Sequence, residues 1–466
     1  MGTVKIGLEV HISLNKGIKT KMFCGCKLPT KPEPNTNCCP ICLAHPGAKP
    51  SFNKEVLNAA LKLATALKCD TAKQLLFSRK TYFYPDLPAN YQITQYEAPL
   101  GINGKLDIDA KTIALKRVHI EEDPAALIHP GGVANAGFTL IDYNRAGTPL
   151  AEVVTEPDIE SPEEARQFLK ALLSIVDYLG IYESETGTIK ADANVSIKET
   201  GYIRVEIKNI SGFKEIESAL NYEIERQRKC FQAGESIQQE TRGWDAVSQQ
   251  TYAMRTKETE DDYGYISEPN LTTIDITDDM IKRIELPELA NARAKRLKED
   301  YNIAADDANA LTADMELAEL FERVAKEIDP ILAAKWLRKE LVNVLKEKKK
   351  KLKLVKFDET QMVTLLKMFE KGEITDVTAR ELLEKLAKKS FDVSEYVENK
   401  DLRAVSDTKE LENYCKEAVE DHPRVADDYK AGKEEALNYL VGKVMKKTKG
   451  KAPAGKCKEI IKELIK

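Results

Sequence analysis

The sequence predicts an α+β protein, with strands first and helices after. Segments that alternate apolar and polar side chains with a period of two recur through the first part: Val4–Ile12, Arg117–Glu121, Lys190–Ile197 and Arg204–Asn209. They stop near Asn291, and the periodic segments beyond it have helical spacing. A length of 466 residues with 42% hydrophobic content is too long for one ordinary domain and apolar enough for several cores. The boundaries fall at residues 1–292, 293–398 and 399–466.

Composition narrows the class. No apolar run approaches the roughly 18 residues that a membrane span needs, and the start lacks the charged-then-apolar pattern of a signal peptide. The expectation is a soluble, cytoplasmic protein. The net charge is −5, so any contact with nucleic acid must come from a local basic patch. Five of the nine cysteines lie between Cys24 and Cys42, a clustering that points to metal and not to a disulfide framework.

In order along the chain, Val4, Ile6, Leu8, Val10 and Ile12 turn inward, leaving Glu9 and His11 on the opposite face. Cys24-Gly25-Cys26 and Cys39-Pro40-Ile41-Cys42 flank a loop containing Pro29, Pro32, Pro34 and Asn35. A CxC pair and a CxxC pair suit a tetrahedral, structural Zn2+, with Cys38 left over; a set of free thiols is the competing reading. Lys54–Leu67 carries an apolar helical stripe. Arg79–Glu97 mixes aromatics, prolines and two cations. It reads as a buried loop packing its own aromatics, or as a rigid wall that grips an acyl or nucleotide group.

Arg117, His119 and Glu121 share one strand face, opposite Val118 and Ile120, and Pro124 stops the strand. Glu121, Glu122 and Asp123 at its end repel one another. They fit a solvated strand end or a hard cation such as Mg2+. Ser161, Pro162 and Glu164 make an N-cap, N1 proline and capping box for a helix to about Leu179, ended by Gly180. Lys190, Asp192, Asn194 and Ser196 share a strand face, as do Arg204, Glu206 and Lys208, and Glu215–Phe231 is helical.

Beyond Asn291 the expected helices are Asp306–Ile328, Pro330–Lys346, Asp358–Lys371 and Asp376–Lys388. Lys348–Lys351 reads as a solvated loop and Phe391–Leu402 as a linker. Asp407–Asp421, Arg424–Tyr429 and Lys433–Lys447 form a last helical unit. From Lys443 to Lys466 nine lysines face only Glu459 and Glu463, which makes the one clear basic patch. Gly450–Lys456 matches most of a phosphate-binding P-loop. It has Cys457 where Ser or Thr is needed and follows a helix where a strand is required, so it is rejected.

Several strands thus carry Glu, His, Asp, Asn, Lys and Arg on their polar faces, where a merely solvated face shows mainly Thr, Lys and Glu. Carboxylates hold Mg2+ and cations neutralise phosphate, so a phosphate-handling sheet face is expected.

The motifs taken together resemble the B subunit of the glutamyl-tRNA(Gln)/aspartyl-tRNA(Asn) amidotransferase, the GatB family. The resemblance spans nearly the whole chain. It rests on Gly7–His11, Phe23–Cys26 with Cys39–Cys42, Arg79–Pro88, His119–Asp123, Asp142–Gly147, Glu156–Asp158, Asp192–Ser196, Glu206–Asn209 and Glu240–Arg242. It implies a glutamine-synthetase-like cradle of mostly antiparallel sheet with helices, then an all-α helical domain and a small all-α tail. It implies phosphorylation of the misacylated tRNA's side-chain carboxylate by ATP with Mg2+ (or Mn2+), followed by attack of ammonia from the partner amidase. The implied partners are the amidase, which is the A subunit of the amidotransferase heterotrimer, its small C subunit, and tRNA(Gln) and/or tRNA(Asn).

By resemblance, the metal and phosphate roles fall on Glu9, His11, Lys80, Glu121, Glu122, Glu152, Asp192 and Asn194, with Glu9, His11 and Glu121 as Mg2+ ligands. Lys443, Lys446, Lys447, Lys449 and Lys451 in the tail would dock tRNA. Two departures matter. The segment Asp262–Asn270 lacks an arginine and a proline of the family motif. No synthetase-like insertion lies between Asp262 and Lys295, which argues against the archaeal E subunit. A non-catalytic tRNA-binding paralogue is the alternative, favoured by the altered motif and opposed by the intact carboxylates and Lys80.

Overall fold

The computed structural model describes residues 3–28, 32–108, 111–131, 136–256, 263–350, 352, 355, 358–405 and 408–465. Pro29, Asp262, Lys351, Asp407 and Lys466, named above, lie outside the described residues. The chain divides into two compact units, Met1–Leu289 and Ala290–Lys466.

Among the described residues the first unit is built on sixteen strands. They are β1 (Val4–Ser13), β2 (Asp70–Thr71), β3 (Gln74–Leu75), β4 (Ser78–Thr81), β5 (Tyr91–Thr94), β6 (Gly101–Asp107), β7 (Thr112–Asp123) and β8 (Ala126–Ile128). The others are β9 (Leu140–Asp142), β10 (Thr148–Thr155), β11 (Ile189–Ile197), β12 (Val205–Ile210), β13 (Glu240–Asp245), β14 (Gln250–Thr256), β15 (Gly264–Ser267) and β16 (Ile274–Asp275). Nine form one sheet in the order β14-β13-β12-β11-β1-β10-β7-β6-β2. Within it only β12 and β13 pair in parallel.

The alternation in β1 is realised as expected: Val4, Ile6, Leu8, Val10 and Ile12 are buried in the main core. Helices α1 (Lys54–Ala66), α2 (Pro162–Tyr178) and α3 (Phe213–Gln232) contribute their apolar faces to that same core. One sheet face is therefore covered, and the polar residues of β1, β7, β11 and β12 occupy the other. At the start of α2, Ser161 Oγ accepts from Glu164 N at 3.2 Å, while the Glu164 carboxylate accepts from Glu160 N at 2.9 Å. That is the capping arrangement the sequence predicts, reaching back one residue further.

The central strand β10 carries no signal of alternation because all eight of its residues are buried. The segment from Arg79 is not a buried loop. β4 pairs with β15 on one side and β5 on the other in a three-stranded sheet, and Phe83 in the connection is 81% exposed.

Among the described residues the regular elements of the second unit are all helices. Helix α4 (Asp278–Lys282) closes the first unit, and α5 (Ala290–Tyr301) opens the second. The expected helix 306–328 is two, α6 (Ala305–Thr312) and α7 (Met315–Val324), because Asp314 caps a fresh start by accepting from Leu317 N at 3.0 Å. Pro330 to Glu347 runs as α8 (Pro330–Lys335), a π turn and α9 (Val342–Glu347). Then come α10 (Glu359–Glu370), α11 (Asp376–Leu386) and α12 (Val393–Asn399). Helix α12 corrects the expected linker: Asp392 caps it, and Val393 and Val397, four apart, are fully buried.

Helices α13 (Thr408–Asp421), α14 (Pro423–Lys430), α15 (Glu434–Lys447) and α16 (Ala454–Ile465) build a separate apolar cluster. Cys415 and Cys457, isolated in sequence, are both fully buried in it. The rejected P-loop spans the turn after α15 and the first residues of α16. No described helix is long and apolar enough to cross a membrane.

Candidate active site

The polar face of the nine-stranded sheet gathers its chemistry from strand register. His11 on β1 pairs across to Glu152 on β10, which pairs across to His119 on β7. Glu121 follows His119 on the same face of β7. His11 Nε2 is 3.2 Å from Glu152 Oε2 and 3.5 Å from Glu121 Oε1. His119 Nε2 is 3.4 Å from Glu152 and 3.6 Å from Glu121. Thr94 Oγ1 donates to Glu121 at 3.0 Å.

His11, Glu121 and Glu152 offer ligand atoms within 4.8 Å of one another. At that range two like charges repel by roughly 3–4 kcal/mol at an effective dielectric constant of about 20, so the carboxylates need positive charge between them. His11 meets part of that need. Burial alone would lower its pKa, but the hydrogen bond and charge of Glu152, with Glu121 behind it, lift it to about 9. Glu152 is held well below the usual carboxylate range: burial pushes it up, and the two imidazoles and Arg117 outweigh that. Two carboxylates and an imidazole on one face fit a hard divalent cation such as Mg2+ or Mn2+.

Two of the residues expected in the site stand apart from this group. Glu9 is not with His11 but one row along the sheet. There Asn194 Nδ2 donates to it at 3.2 Å, and the carboxylates of Asp192 and Glu206 share the Lys208 ammonium at 3.3 and 3.7 Å. Burial first, then Glu152, Glu206 and Asp192, raise the Glu9 pKa. Glu122 leaves the site altogether. It is on the alternate face of β7, where its carboxylate accepts from Ile93 N at 2.9 Å and burial pushes its pKa to about 7.

Beside these groups lies a cleft of about 620 Å³ lined by Lys5, Glu9, Lys80, Lys116, Arg117, Asn194, Arg204, Glu206 and Lys208 with Tyr96, Tyr202, Tyr263 and Tyr265. Lys80 Nζ stands 4.5 Å over the Tyr263 ring, and Tyr96 and Tyr265 stack at 4.0 Å and 13°. Arg117 borders both regions, with its NH2 3.7 Å from Glu152. The altered segment 263–270 is thus a wall of the cleft, tied down where Arg79 grips Glu268 at 2.6 and 3.1 Å. Glu206 and Lys208 were visible as a polar strand face but carried no assigned role, while His119 was read as a ligand-type side chain on its strand face without a specific role.

Residues 4–282 match the GatB/GatE catalytic domain, and residues 319–465 match the GatB domain. Curated relatives align over almost the full length. The B subunit of the aspartyl/glutamyl-tRNA(Asn/Gln) amidotransferase of Thermotoga petrophila is 41% identical, with 99% of this chain and 98% of the relative covered. The proteins of the same name from Carboxydothermus hydrogenoformans and Sulfurisphaera tokodaii are 40% and 42% identical, each over 99% of this chain and 98% and 99% of their own lengths.

The chain belongs to the GatB family. It is an amidotransferase subunit of the ligase type.

Two further features of this GatB-family chain were expected from sequence. Cys24, Cys26, Cys39 and Cys42 converge, with Cys42 Sγ 3.3, 3.7 and 3.6 Å from the other three in that order. Four sulfurs about 2.3 Å from one ion stand about 3.8 Å apart, so the set fits a tetrahedral metal. Cys38 points away, its Sγ 3.5 Å from Asn144 Oδ1.

The five tail lysines divide. Lys447 pairs with Glu417 and Lys451 with Asp401, and Lys443 lies 4.9 Å over the Tyr439 ring. Lys446 and Lys449 are exposed.

Proposed function

We propose that the chain phosphorylates the side-chain carboxylate of Glu-tRNA(Gln) and/or Asp-tRNA(Asn) with ATP. Ammonia from the partner amidase then attacks the acyl carbon and expels phosphate, giving Gln-tRNA(Gln) or Asn-tRNA(Asn). The observation that carries this reading is the junction at Arg117. On one side stands a carboxylate–imidazole group suited to a hard cation, and on the other a cleft of cations and tyrosines of nucleotide size.

A divalent cation held by His11, Glu121 and Glu152 would neutralise phosphate oxygens. Lys5, Lys80, Lys116 and Arg204 steady the remaining phosphate charge and keep the transferred group in line with the attacking carboxylate. The Tyr96–Tyr265 stack offers a flat face to a base. Lys208 holds Asp192 and Glu206 apart, and Asn194 orients Glu9.

The four cysteines would hold a structural Zn2+, since four thiolates leave no open position for water. The amidase and the small C subunit complete a heterotrimer, and an aminoacyl-tRNA substrate supports a cytoplasmic location. The separate apolar clusters of the second unit support a helical domain at 293–398 and a tRNA-docking tail at 399–466.

The test is ATP hydrolysis by the complex purified with its partner subunits, with and without misacylated tRNA. The alternative of a non-catalytic paralogue requires that no such hydrolysis occur; against it, the altered segment still lines the cleft with Tyr263 and Tyr265.

A further inference from the structure

Lys21 is fully buried. Its stem runs beside Gly147, where an added Cβ would meet Lys21 Cδ at 3.6 Å and where φ is +82°. Its ammonium has three neighbours: the Asn37 carbonyl at 3.0 Å, Cys42 Sγ at 3.4 Å and the Tyr143 carbonyl at 3.5 Å. Those three account for its three N–H donors. Among the described residues no carboxylate pairs with it.

A lysine ammonium is almost never fully buried without a charged partner, because the loss of hydration is not returned by neutral carbonyls. Of its neighbours only the sulfur can carry negative charge. Four thiolates around a divalent cation leave a net charge of about −2, an anion that a buried ammonium would balance.

We propose that Lys21 is the counter-cation of the four-cysteine metal site and the positioning residue that ties that site to the loop 142–147. This rests on the metal reading given above. The loop is where such a tie matters. Asn144 Oδ1 accepts from Asn37 N at 2.7 Å, and its Nδ2 donates to the Glu33 carbonyl at 2.7 Å. Arg145 donates to the carbonyls of Pro124 and Ala125 at 2.9 and 2.6 Å, and Gly147 N donates to the Asp123 carbonyl at 3.0 Å. The loop therefore joins the end of β7, with Glu121, to the start of β10, with Glu152. A charge placed at the sulfurs is felt, through Lys21 and Tyr143, at the loop beside the ends of the two strands that carry those carboxylates.

The test uses Lys21→Met, which keeps the stem and removes the charge, in the full chain. Zinc affinity is measured by competition with a chromogenic chelator, and thermal unfolding is followed for zinc-loaded and chelator-stripped protein. Lys21→Met should bind zinc about 10- to 100-fold more weakly. Its Tm should fall below wild type when loaded and equal or exceed wild type when stripped, because the stripped wild type buries a charge with less compensation. Zinc affinity within twofold of wild type, or an equal drop in Tm in both states, overturns the proposal.

Should Lys21→Met fail to fold, the wild-type chain decides the matter through acetylation of Lys21 by acetic anhydride. Protection when loaded and modification when stripped supports the role, and equal labelling overturns it. Wild type that binds no zinc defeats the underlying metal reading as well; wild type that binds zinc no better than Lys21→Met defeats only the role of Lys21.

Discussion

Glu121 and Glu122 are neighbours in sequence and opposites in the fold. Glu121 stands 3.5 Å from His11 on the open face of the sheet, while Glu122 accepts from Ile93 N at 2.9 Å on the other side. Removing charge from each should therefore have different consequences. Glu121→Gln keeps the volume but takes away a cation ligand, and should lower phosphoryl transfer by about 100-fold or more while tRNA affinity stays unchanged. Glu122→Gln should cost less than about tenfold. Steady-state ADP release by the two variants decides it; equal losses would mean that the two faces are not functionally distinct.

The cation group should also respond to its other carboxylate. Glu152→Gln leaves His11 with one of its two carboxylate partners and removes one candidate cation ligand, and should shift the Mg2+ concentration that half-saturates ATP hydrolysis upward by about tenfold or more. A Mg2+ titration of activity reads this, and an unchanged midpoint would remove Glu152 from the cation site.

The polar face was legible from alternation alone. His11, His119, Asp192 and Asn194 stood out because short ligands on one strand face are an unusual surface. Glu152 was not legible that way: β10 is buried over all eight residues, so no exposed face alternates with a buried one along it. Pairing across the sheet, which no local pattern encodes, puts Glu9 in a different group from His11 although they share a face of β1. Helix α12 was missed because seven residues with only Val393 and Val397 buried give too short a stripe to read.

Zinc content separates the five clustered cysteines. Cys24→Ser and Cys42→Ser should each abolish stoichiometric zinc, while Cys38→Ser should keep it, since Cys38 faces Asn144 and not the other sulfurs. Elemental analysis of the purified variants is the measurement, and a zinc-free Cys38→Ser protein would contradict the assignment.

In the tail, only Lys446 and Lys449 among the five named lysines are both exposed and clear of the Glu417, Asp401 and Tyr439 contacts that engage the others. The double variant Lys446→Gln/Lys449→Gln should weaken tRNA binding and reduce the slope of log affinity against log salt by about two. Lys447→Gln should change that slope by less than about one half-unit, because its charge is already engaged. Binding titrations at several salt concentrations test both, and an unchanged slope in the double variant would reduce the patch to a solvated helix end.

The central claim is that this chain activates a tRNA-borne carboxylate with ATP. Its most direct test is ADP formation by the complex with its partner subunits in Mg2+, comparing Glu-tRNA(Gln) and Asp-tRNA(Asn) with the same tRNAs uncharged. The account predicts ADP release only with a misacylated tRNA, matched by amide formation when glutamine is added. ADP release that ignores the aminoacyl group, or none with either substrate, would contradict it.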